Sequence, residues 1–214
     1  MEYTLKRIWR NYPVITILLI AVNVILFLWM DFSSNPNAAD ELYMWGGSYW
    51  PGIVENGEYY RLLTSIFLHS GISHLMSNML VLGVLGSPTE KYLGHIKYLA
   101  VYLGAGIGAN VISKVVWHML GQDHISVGAS GAIFGIFGVL LAIVIKYRGT
   151  VRRVGLPQML FALVWLIYGG YSSERTDQLA HLGGLLIGMI LGWIFYRIPL
   201  AKEGERGYDR DGYW

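Results

Sequence analysis

The sequence predicts an all-α membrane protein in which six transmembrane helices form one bundle. Three observations favour this class. The chain has 214 residues, of which 54% are hydrophobic and only 14% are charged, whereas about a quarter of the residues in a soluble domain are charged. Six apolar stretches have about the length, roughly 17–25 residues, that a membrane-spanning helix needs. Many of the eight tryptophans and fifteen tyrosines lie near the ends of these stretches, as in the aromatic belts at membrane surfaces.

The predicted spans follow one another along the chain. Their approximate bounds are residues 13–30, 72–88, 96–117, 128–145, 154–170 and 179–196. The first follows a basic stretch but has no small-residue cleavage site behind it, so we interpret it as a retained helix and not as a signal peptide. The second is the least apolar, because His74, Ser77 and Asn78 interrupt it. We expect residues 1–200 to form one membrane domain and residues 201–214 to form a short, charged, disordered tail.

The distribution of basic residues predicts the orientation, because cytoplasmic loops carry an excess of lysine and arginine. With the N-terminus in the cytoplasm, thirteen of the sixteen basic residues lie inside, and only Arg61, Lys114 and Arg175 lie outside. Both termini are therefore predicted to be cytoplasmic. The long segment 31–71 then lies outside, where its many aromatic residues favour short amphipathic helices in the membrane interface over a polar solvated loop.

The composition excludes several kinds of function. The net charge of +2 is too small to indicate a nucleic-acid-binding protein, and the basic residues do not form one patch. The chain contains no cysteine, which excludes disulfides, thiol catalysis and thiolate metal sites. A channel or transporter would need charged residues near the middle of several spans, and only Lys114 is a candidate.

Four polar side chains fall at one depth in the predicted bundle. His74 and Asn78 lie about 3 and 9 Å from the outer end of the second span at 1.5 Å per residue, on one helix face. Ser130 and His181 each lie two residues into the fourth and sixth spans, which also begin outside. Because polar residues within a bilayer are costly, their shared depth indicates a shallow site near the outer surface.

The spacing of glycines predicts that the fourth and sixth spans pack closely. Small residues at every third or fourth position let membrane helices meet backbone to backbone. The glycines in question are Gly131, Gly135 and Gly138 in one span and Gly184, Gly188 and Gly192 in the other. Contact between these faces would bring Ser130 and His181 towards hydrogen-bonding distance.

A serine beside a histidine has a definite chemical use. The imidazole can take the hydroxyl proton during nucleophilic attack and return it to the leaving amine. The Ser130 backbone N–H and the His74 and Asn78 side chains are candidate donors to the oxyanion. Asp123 and Asp177 are predicted to lie in loops, so the sequence indicates a dyad without a third acidic residue.

Other interpretations of the same residues remain open. Ser130 could serve only helix packing, His181 could be a structural hydrogen-bonding residue, and Asn78 could link helices. A zinc site formed by three histidines, His69, His74 and His181, is conceivable, although the chain has no HExxH motif. The G-x-S-x-G elbow of soluble hydrolases is not met, because Ala132 occupies its last position. We expect no metal or other cofactor.

At these residues the chain resembles the rhomboid family of intramembrane serine proteases, over about residues 59–196. The family's G-x-S-G motif matches "GASG" from Gly128 to Gly131, its A-H-x-x-G motif matches "AHLGG" around His181, and its H-x-x-x-N motif matches "HLMSN". His69 matches a further upstream histidine. Tyr60 precedes Arg61 where the family usually has Trp-Arg, and Glu90 matches a glutamate after the second span.

The resemblance implies that Ser130 is the nucleophile, that His181 is the general base, and that His74, Asn78 and the Ser130 N–H form the oxyanion hole. It also implies that Phe134 stacks on the catalytic histidine and that Arg61 is structural in a half-submerged first loop. Substrates would be transmembrane segments of other proteins, cut near the outer face of the plasma or inner membrane. Without a seventh span or a large soluble domain, the chain resembles the minimal prokaryotic form. The alternative is a non-catalytic scaffold of the same fold that binds client helices.

Overall fold

The computed structural model describes residues 12–33, 35, 38–146, 159, 161, 163–164 and 177–196. Regular structure in these residues is helical, apart from one isolated bridge in which Ser48 and Ser126 exchange both backbone hydrogen bonds at 2.9 Å. The helices are α1 (Val14–Ser33), α2 (Ala39–Met44), α3 (Trp50–Val54), α4 (Arg61–Thr64), α5 (Ile72–Val81), α6 (Ser87–Leu93), α7 (His95–Met119), α8 (Ser130–Lys146) and α9 (Gln178–Phe195). A 3₁₀ turn (Ser65–Phe67) follows α4, and a π-helical turn (Leu82–Gly86) joins α5 to α6.

Three helices in the described residues, α1, α7 and α9, are long and apolar enough to cross a membrane. A fourth candidate is a bent pair, in which Arg61–Phe67 and Ile72–Leu93 meet at 89°. Helix α8 is apolar but has only 17 residues. The predicted fifth span is represented only by residues 159, 161, 163 and 164, and the predicted tail and basic N-terminal stretch lie outside the described residues. Six spans and cytoplasmic termini therefore stay predictions.

Helix α8 lies at the centre of the described bundle because its sequence is apolar on every side, which is typical of a fully surrounded helix. Twelve of its residues are buried, and α7 and α9 pack on it along its length. The glycine faces meet as the spacing predicted. A Cβ atom at Gly184 would collide with the carbonyl oxygen of Gly131, and one at Gly188 would collide with that of Gly135. The two backbones are therefore in direct contact, with no room for a side chain between them.

Helix α8 begins at Ser130, two residues later than the predicted fourth span. The reason lies at Gly128, whose φ of +131° is a conformation that side chains other than glycine rarely adopt and that a helix cannot contain. The Gly128 amide instead donates to the carbonyl of Ser65 at 2.9 Å. Ser130 is consequently the first residue of the helix, where backbone N–H groups have no partner within the helix.

Charged side chains cap helix α9 at both ends. At the N-terminus, the carboxylate of Asp177 accepts a hydrogen bond from the Ala180 amide at 3.0 Å. At the C-terminus, the Lys146 ammonium donates to the carbonyl of Trp193 at 2.9 Å, and Lys97 donates to that of Phe195 at 3.2 Å. These signs of charge match the helix dipole, so both ends of α9 are fixed to the neighbouring helices.

Within the described residues, the segment between α1 and α5 is organised around Arg61, as short helices and not as a solvated loop. The Arg61 guanidinium donates to Oε2 of Glu58 at 2.7 Å and to the carbonyl of Gly47 at 3.3 Å. It also lies 3.8 Å from the ring centroid of Tyr43, within the range of a cation–π contact. Tyr60, which stands where a tryptophan was expected, lies farther away, at 5.3 Å, and is half exposed. Arg61 thus links the turns on either side of α3.

Candidate active site

The structure brings Ser130 and His181 into hydrogen-bonding distance. Ser130 opens α8 and His181 lies in the first turn of α9, and the glycine contact holds these two helix ends together. His181 Nε2 lies 2.9 Å from Ser130 Oγ. His181 is buried, and Ser130 is partly exposed. An unprotonated Nε2 at this distance can accept the hydroxyl proton, which is the arrangement that activates a serine.

Phe134 orients the imidazole of His181. It lies one helical turn after Ser130 on α8, and its ring stacks on the imidazole with centroids 4.3 Å apart and an interplanar angle of 19°. A stacked neighbour restricts rotation of the imidazole out of its plane. The ring that faces Ser130 is therefore fixed by the same helix that carries the serine.

His74 packs against the backbone immediately before Ser130. A Cβ atom at Gly128 would lie 2.8 Å from both Cε1 and Nε2 of His74, so only glycine allows this approach. His74 Nδ1 lies 3.1 Å from Ser70 Oγ. When the Ser70 hydroxyl donates to Nδ1, the proton of the neutral ring is on Nε2, the nitrogen that faces the Ser130 segment.

Asn78 lies on the same face of α5 as His74, and its described hydrogen bond stays within that helix. The Asn78 amide donates to the carbonyl of His74 at 2.9 Å. The same nitrogen carries a second hydrogen, which is available to another acceptor. Within the described residues, Asn78 makes no hydrogen bond to another helix, so the geometry does not support a role in linking helices.

His69 is buried behind His74, and the imidazole rings of the two residues are in contact. The ring centroids of His69 and His74 lie 5.1 Å apart in an edge-to-face arrangement. In the part of the chain that the structure describes, neither ring nitrogen of His69 has a hydrogen-bond partner. No three acidic or histidine side chains of the described residues converge on one point where a metal ion could bind. The geometry therefore offers no support for the zinc alternative built on His69, His74 and His181.

Sequence reasoning missed the position of Asp177, which is not in an open loop but caps α9 and is buried. Its Oδ2 accepts hydrogen bonds from the hydroxyls of Ser113 and Ser126, and Lys114 lies 3.5 Å away. Lys114 is thereby paired near the C-terminal end of α7. In the described residues, no hydrogen bond joins the Asp177 carboxylate to the His181 ring. An aspartate immediately before the start of an apolar helix, here two residues before Leu179, is a capping signal that could have identified this residue.

Comparisons with known proteins agree with the motifs. The family model of the Rhomboid domain matches residues 56–198. The chain is 33% identical over 202 residues to YdcA of Bacillus subtilis (strain 168), which covers 93% of this chain and 94% of that protein. It is 33% identical over 196 residues to the rhomboid protease GluP of the same organism, covering 91% of this chain and 37% of GluP.

A plant protein shows the same likeness. The chain is 34% identical over 160 residues to rhomboid-like protein 11, chloroplastic, of Arabidopsis thaliana, covering 69% of this chain and 56% of that protein. The chain thus spans nearly all of YdcA, about half of the plant protein and little more than a third of GluP. The match of the family model and the extent of these identities confirm the resemblance read from the motifs. The chain belongs to the rhomboid family, and with its apolar helices it is a membrane protein.

Proposed function

We propose that this chain is an intramembrane serine endopeptidase that uses Ser130 as nucleophile and His181 as general base. The observation that carries this proposal is the 2.9 Å distance between Ser130 Oγ and His181 Nε2. It occurs at the meeting point of two helix ends whose backbones touch. Membership of the rhomboid family and the similarity to a relative named a rhomboid protease support the class of reaction.

The reaction proceeds in two steps through an acyl-enzyme. His181 Nε2 takes the proton from Ser130 Oγ as the oxygen attacks the scissile carbonyl carbon, and the carbonyl oxygen becomes an oxyanion. His181 then gives that proton to the leaving amine, and the carbon–nitrogen bond breaks. In the second step His181 takes a proton from water, the hydroxide attacks the ester, and the proton returns to Ser130 Oγ as the acid is released.

Three donors are suited to the developing oxyanion. The Ser130 N–H lies at the start of α8, where backbone amides lack partners within the helix. The Nε2–H of His74 faces the same backbone, and the Asn78 amide has a second hydrogen beyond the one given to His74. Donors that are already in place before the reaction stabilise charge without reorganisation. Gly128 allows His74 to approach, and Gly131 allows the close contact of α8 with α7, where a Cβ atom would lie 2.9 Å from Ala109 Cβ.

The substrates are transmembrane segments of other membrane proteins, cut near the outer face of the cell membrane. A carbonyl within a helix is already hydrogen-bonded, so the segment has to unwind before Ser130 can attack. We therefore expect cleavage beside glycine or proline, with a small residue before the scissile bond. In this proposal residues 1–200 form the membrane domain, both termini are cytoplasmic, and no cofactor takes part.

The test is cleavage of a purified single-span protein by this chain in lipid vesicles. Wild-type protein should cleave the substrate, Ser130→Ala and His181→Ala should abolish cleavage, and Ser33→Ala, at an exposed serine at the end of α1, should cleave as wild type does. A serine-directed fluorophosphonate should label wild type but not Ser130→Ala. Retained cleavage in Ser130→Ala would contradict the dyad. A folded wild-type protein that neither cleaves nor reacts would instead favour a scaffold that binds client helices.

A further inference from the structure

One buried carboxylate contacts both segments that carry Ser130 and His181. We refer to Asp177 and its partners Ser113, Lys114, Trp117 and Ser126 as the Asp177 cluster. The Asp177 side chain is 8% exposed and Ser126 is 7% exposed. The cluster lies at the outer ends of α7 and α9 and at the segment that leads into α8, beside the candidate site.

On the side of His181, Asp177 holds the first turn of α9. Its Oδ1 accepts from the Ala180 amide at 3.0 Å, and its backbone carbonyl accepts from the His181 amide at 3.2 Å. The two amides bound in this way belong to Ala180, which precedes the histidine, and to His181 itself. The position of the first turn of α9 therefore depends on the position of the Asp177 carboxylate.

On the side of Ser130, Asp177 holds the segment before α8. Its Oδ2 accepts from the Ser126 hydroxyl at 2.7 Å, four residues before Ser130. The same segment is tied to the external loop, because Ser126 pairs with Ser48 and the Gly128 amide donates to Ser65, each at 2.9 Å. The hydrogen bond from Ser126 to Asp177 links the segment before α8 directly to the N-cap residue of α9.

Helix α7 provides the frame for the carboxylate. Ser113 donates to Oδ2, and the Trp117 indole donates to Oδ1 at 3.1 Å. The Lys114 ammonium, whose side chain is 1% exposed, donates to Ser126 Oγ and lies 3.5 Å from Asp177 Oδ2. A buried ion pair with such complete hydrogen bonding holds its partners in one arrangement.

We propose that Asp177 is a positioning residue that sets the distance between Ser130 and His181, through Ser126 on one side and Ala180 on the other. Its action differs from that of the acid in a Ser-His-Asp triad, which bonds the imidazole directly. Here the Asp177 carboxylate positions the backbone segments of Ser126 and Ala180, whereas Phe134 orients the imidazole ring of His181 by stacking on it. This inference rests on the proposed function, because the distance between Ser130 and His181 affects a reaction rate only if these two residues react.

The protonation of Asp177 is consistent with this role. Burial acts to raise the pKa of Asp177. The His124 imidazole, whose Nε2 lies 3.6 Å from Asp177 Oδ2, the positive charge of Lys114 and the hydroxyls of Ser113 and Ser126 together outweigh burial, so the pKa lies well below its ordinary value. The group is therefore ionised at neutral pH, and both oxygens accept hydrogen bonds.

The test compares Ser126→Ala with Ser113→Ala. Each variant removes one hydroxyl that donates to the same oxygen of Asp177, but only Ser126 belongs to the segment that leads into Ser130. We expect Ser126→Ala to lower kcat and the rate of fluorophosphonate labelling about tenfold, since small misplacements of reacting groups have large effects, with KM unchanged. Ser113→Ala should lower both rates by a smaller factor than Ser126→Ala does, because the bond between Ser126 and Asp177 remains, although both variants lower the unfolding temperature. Ser126→Thr, which keeps the hydroxyl, should restore most of the rate.

Two results with the serine variants would overturn the inference. Equal rate losses in Ser113→Ala and Ser126→Ala would show that the cluster acts only through stability, and a wild-type rate in Ser126→Ala would show that the link has no effect. Asp177→Asn provides an additional test, with an expected loss of kcat at least as large as that of Ser126→Ala. If wild-type protein itself neither cleaves nor reacts, the proposed function falls together with this inference. If wild type is active and the two serine variants behave alike, only the inference falls.

Discussion

The contact of Gly184 with Gly131 makes the geometry of the candidate site sensitive to a single methyl group. In Gly184→Ala the new Cβ would lie 2.9 Å from the carbonyl carbon of Gly131 and nearer still to its oxygen, whereas carbon atoms in contact are about 3.5–4.0 Å apart. The helices therefore have to separate by about 1 Å at this level, one turn from His181. The same separation would stretch the bond between Ser130 and His181 from 2.9 Å beyond the range of a hydrogen bond.

We expect Gly184→Ala to lower kcat and the rate of fluorophosphonate labelling about 100-fold, the order that a 1 Å misplacement causes. The free energy of unfolding should fall by about 1–3 kcal/mol, as for other overpacked cores. The matched control is Gly104→Ala on α7, where the new Cβ would meet only Leu191 Cδ1 at 3.7 Å. This variant should keep wild-type rates and stability, because that distance is an ordinary contact. Wild-type labelling in a folded Gly184→Ala protein would refute the view that close backbone contact positions the pair.

The remaining predictions concern single side chains around the pair. Phe134→Leu should lower kcat about two- to tenfold, because loss of an aromatic stack is worth about 0.5–1.5 kcal/mol; an unchanged labelling rate would show that stacking does not orient the imidazole. Asn78→Ala should slow cleavage by less than the 100- to 1,000-fold that loss of an essential oxyanion donor causes, because its amide already donates to His74; cleavage kinetics at saturating substrate decide this. The pKa of Asp177 lies below its ordinary value of 3.8, so its contribution to stability is complete above about pH 4 and is lost as the pH falls further. Unfolding temperatures between pH 7 and pH 3 should therefore drop less in Asp177→Asn than in wild type, and parallel curves would contradict the assignment.

Structural features that depend on the spacing of residues within one helix could be predicted from the sequence. The glycine spacing in α8 and α9 implied a backbone contact, and the positions of Ser130 and His181 at the starts of their helices followed from counting residues from the ends of apolar stretches. Both depend only on helical geometry, which is the same in every helix. The apolar stretch predicted at residues 72–88 also located α5, which begins at Ile72, and the i, i+4 spacing placed His74 and Asn78 on one face of it.

Features that depend on contacts between distant segments could not be predicted. The pairing of Lys114 with Asp177 joins residues far apart in the chain, and neither residue has a local pattern that indicates the other. The start of α8 depends on a positive φ at Gly128, which hydropathy does not reveal. Between α1 and α5, the arrangement of α2 to α4 depends on the buried guanidinium of Arg61. The resemblance implied a structural role for Arg61, but hydropathy and charge bias do not indicate the contacts that it makes.

The capping of α9 at both ends limits the routes by which a substrate can reach Ser130. Asp177 at one end, and Lys97 and Lys146 at the other, prevent the helix from sliding along its axis, and the glycine contact leaves no lateral gap between α9 and α8. A substrate helix is about 10 Å wide, so it cannot pass between them. If the proposed function holds, a transmembrane substrate has to approach Ser130 from a side of α8 that α9 does not cover, and α9 is then a fixed wall beside the site.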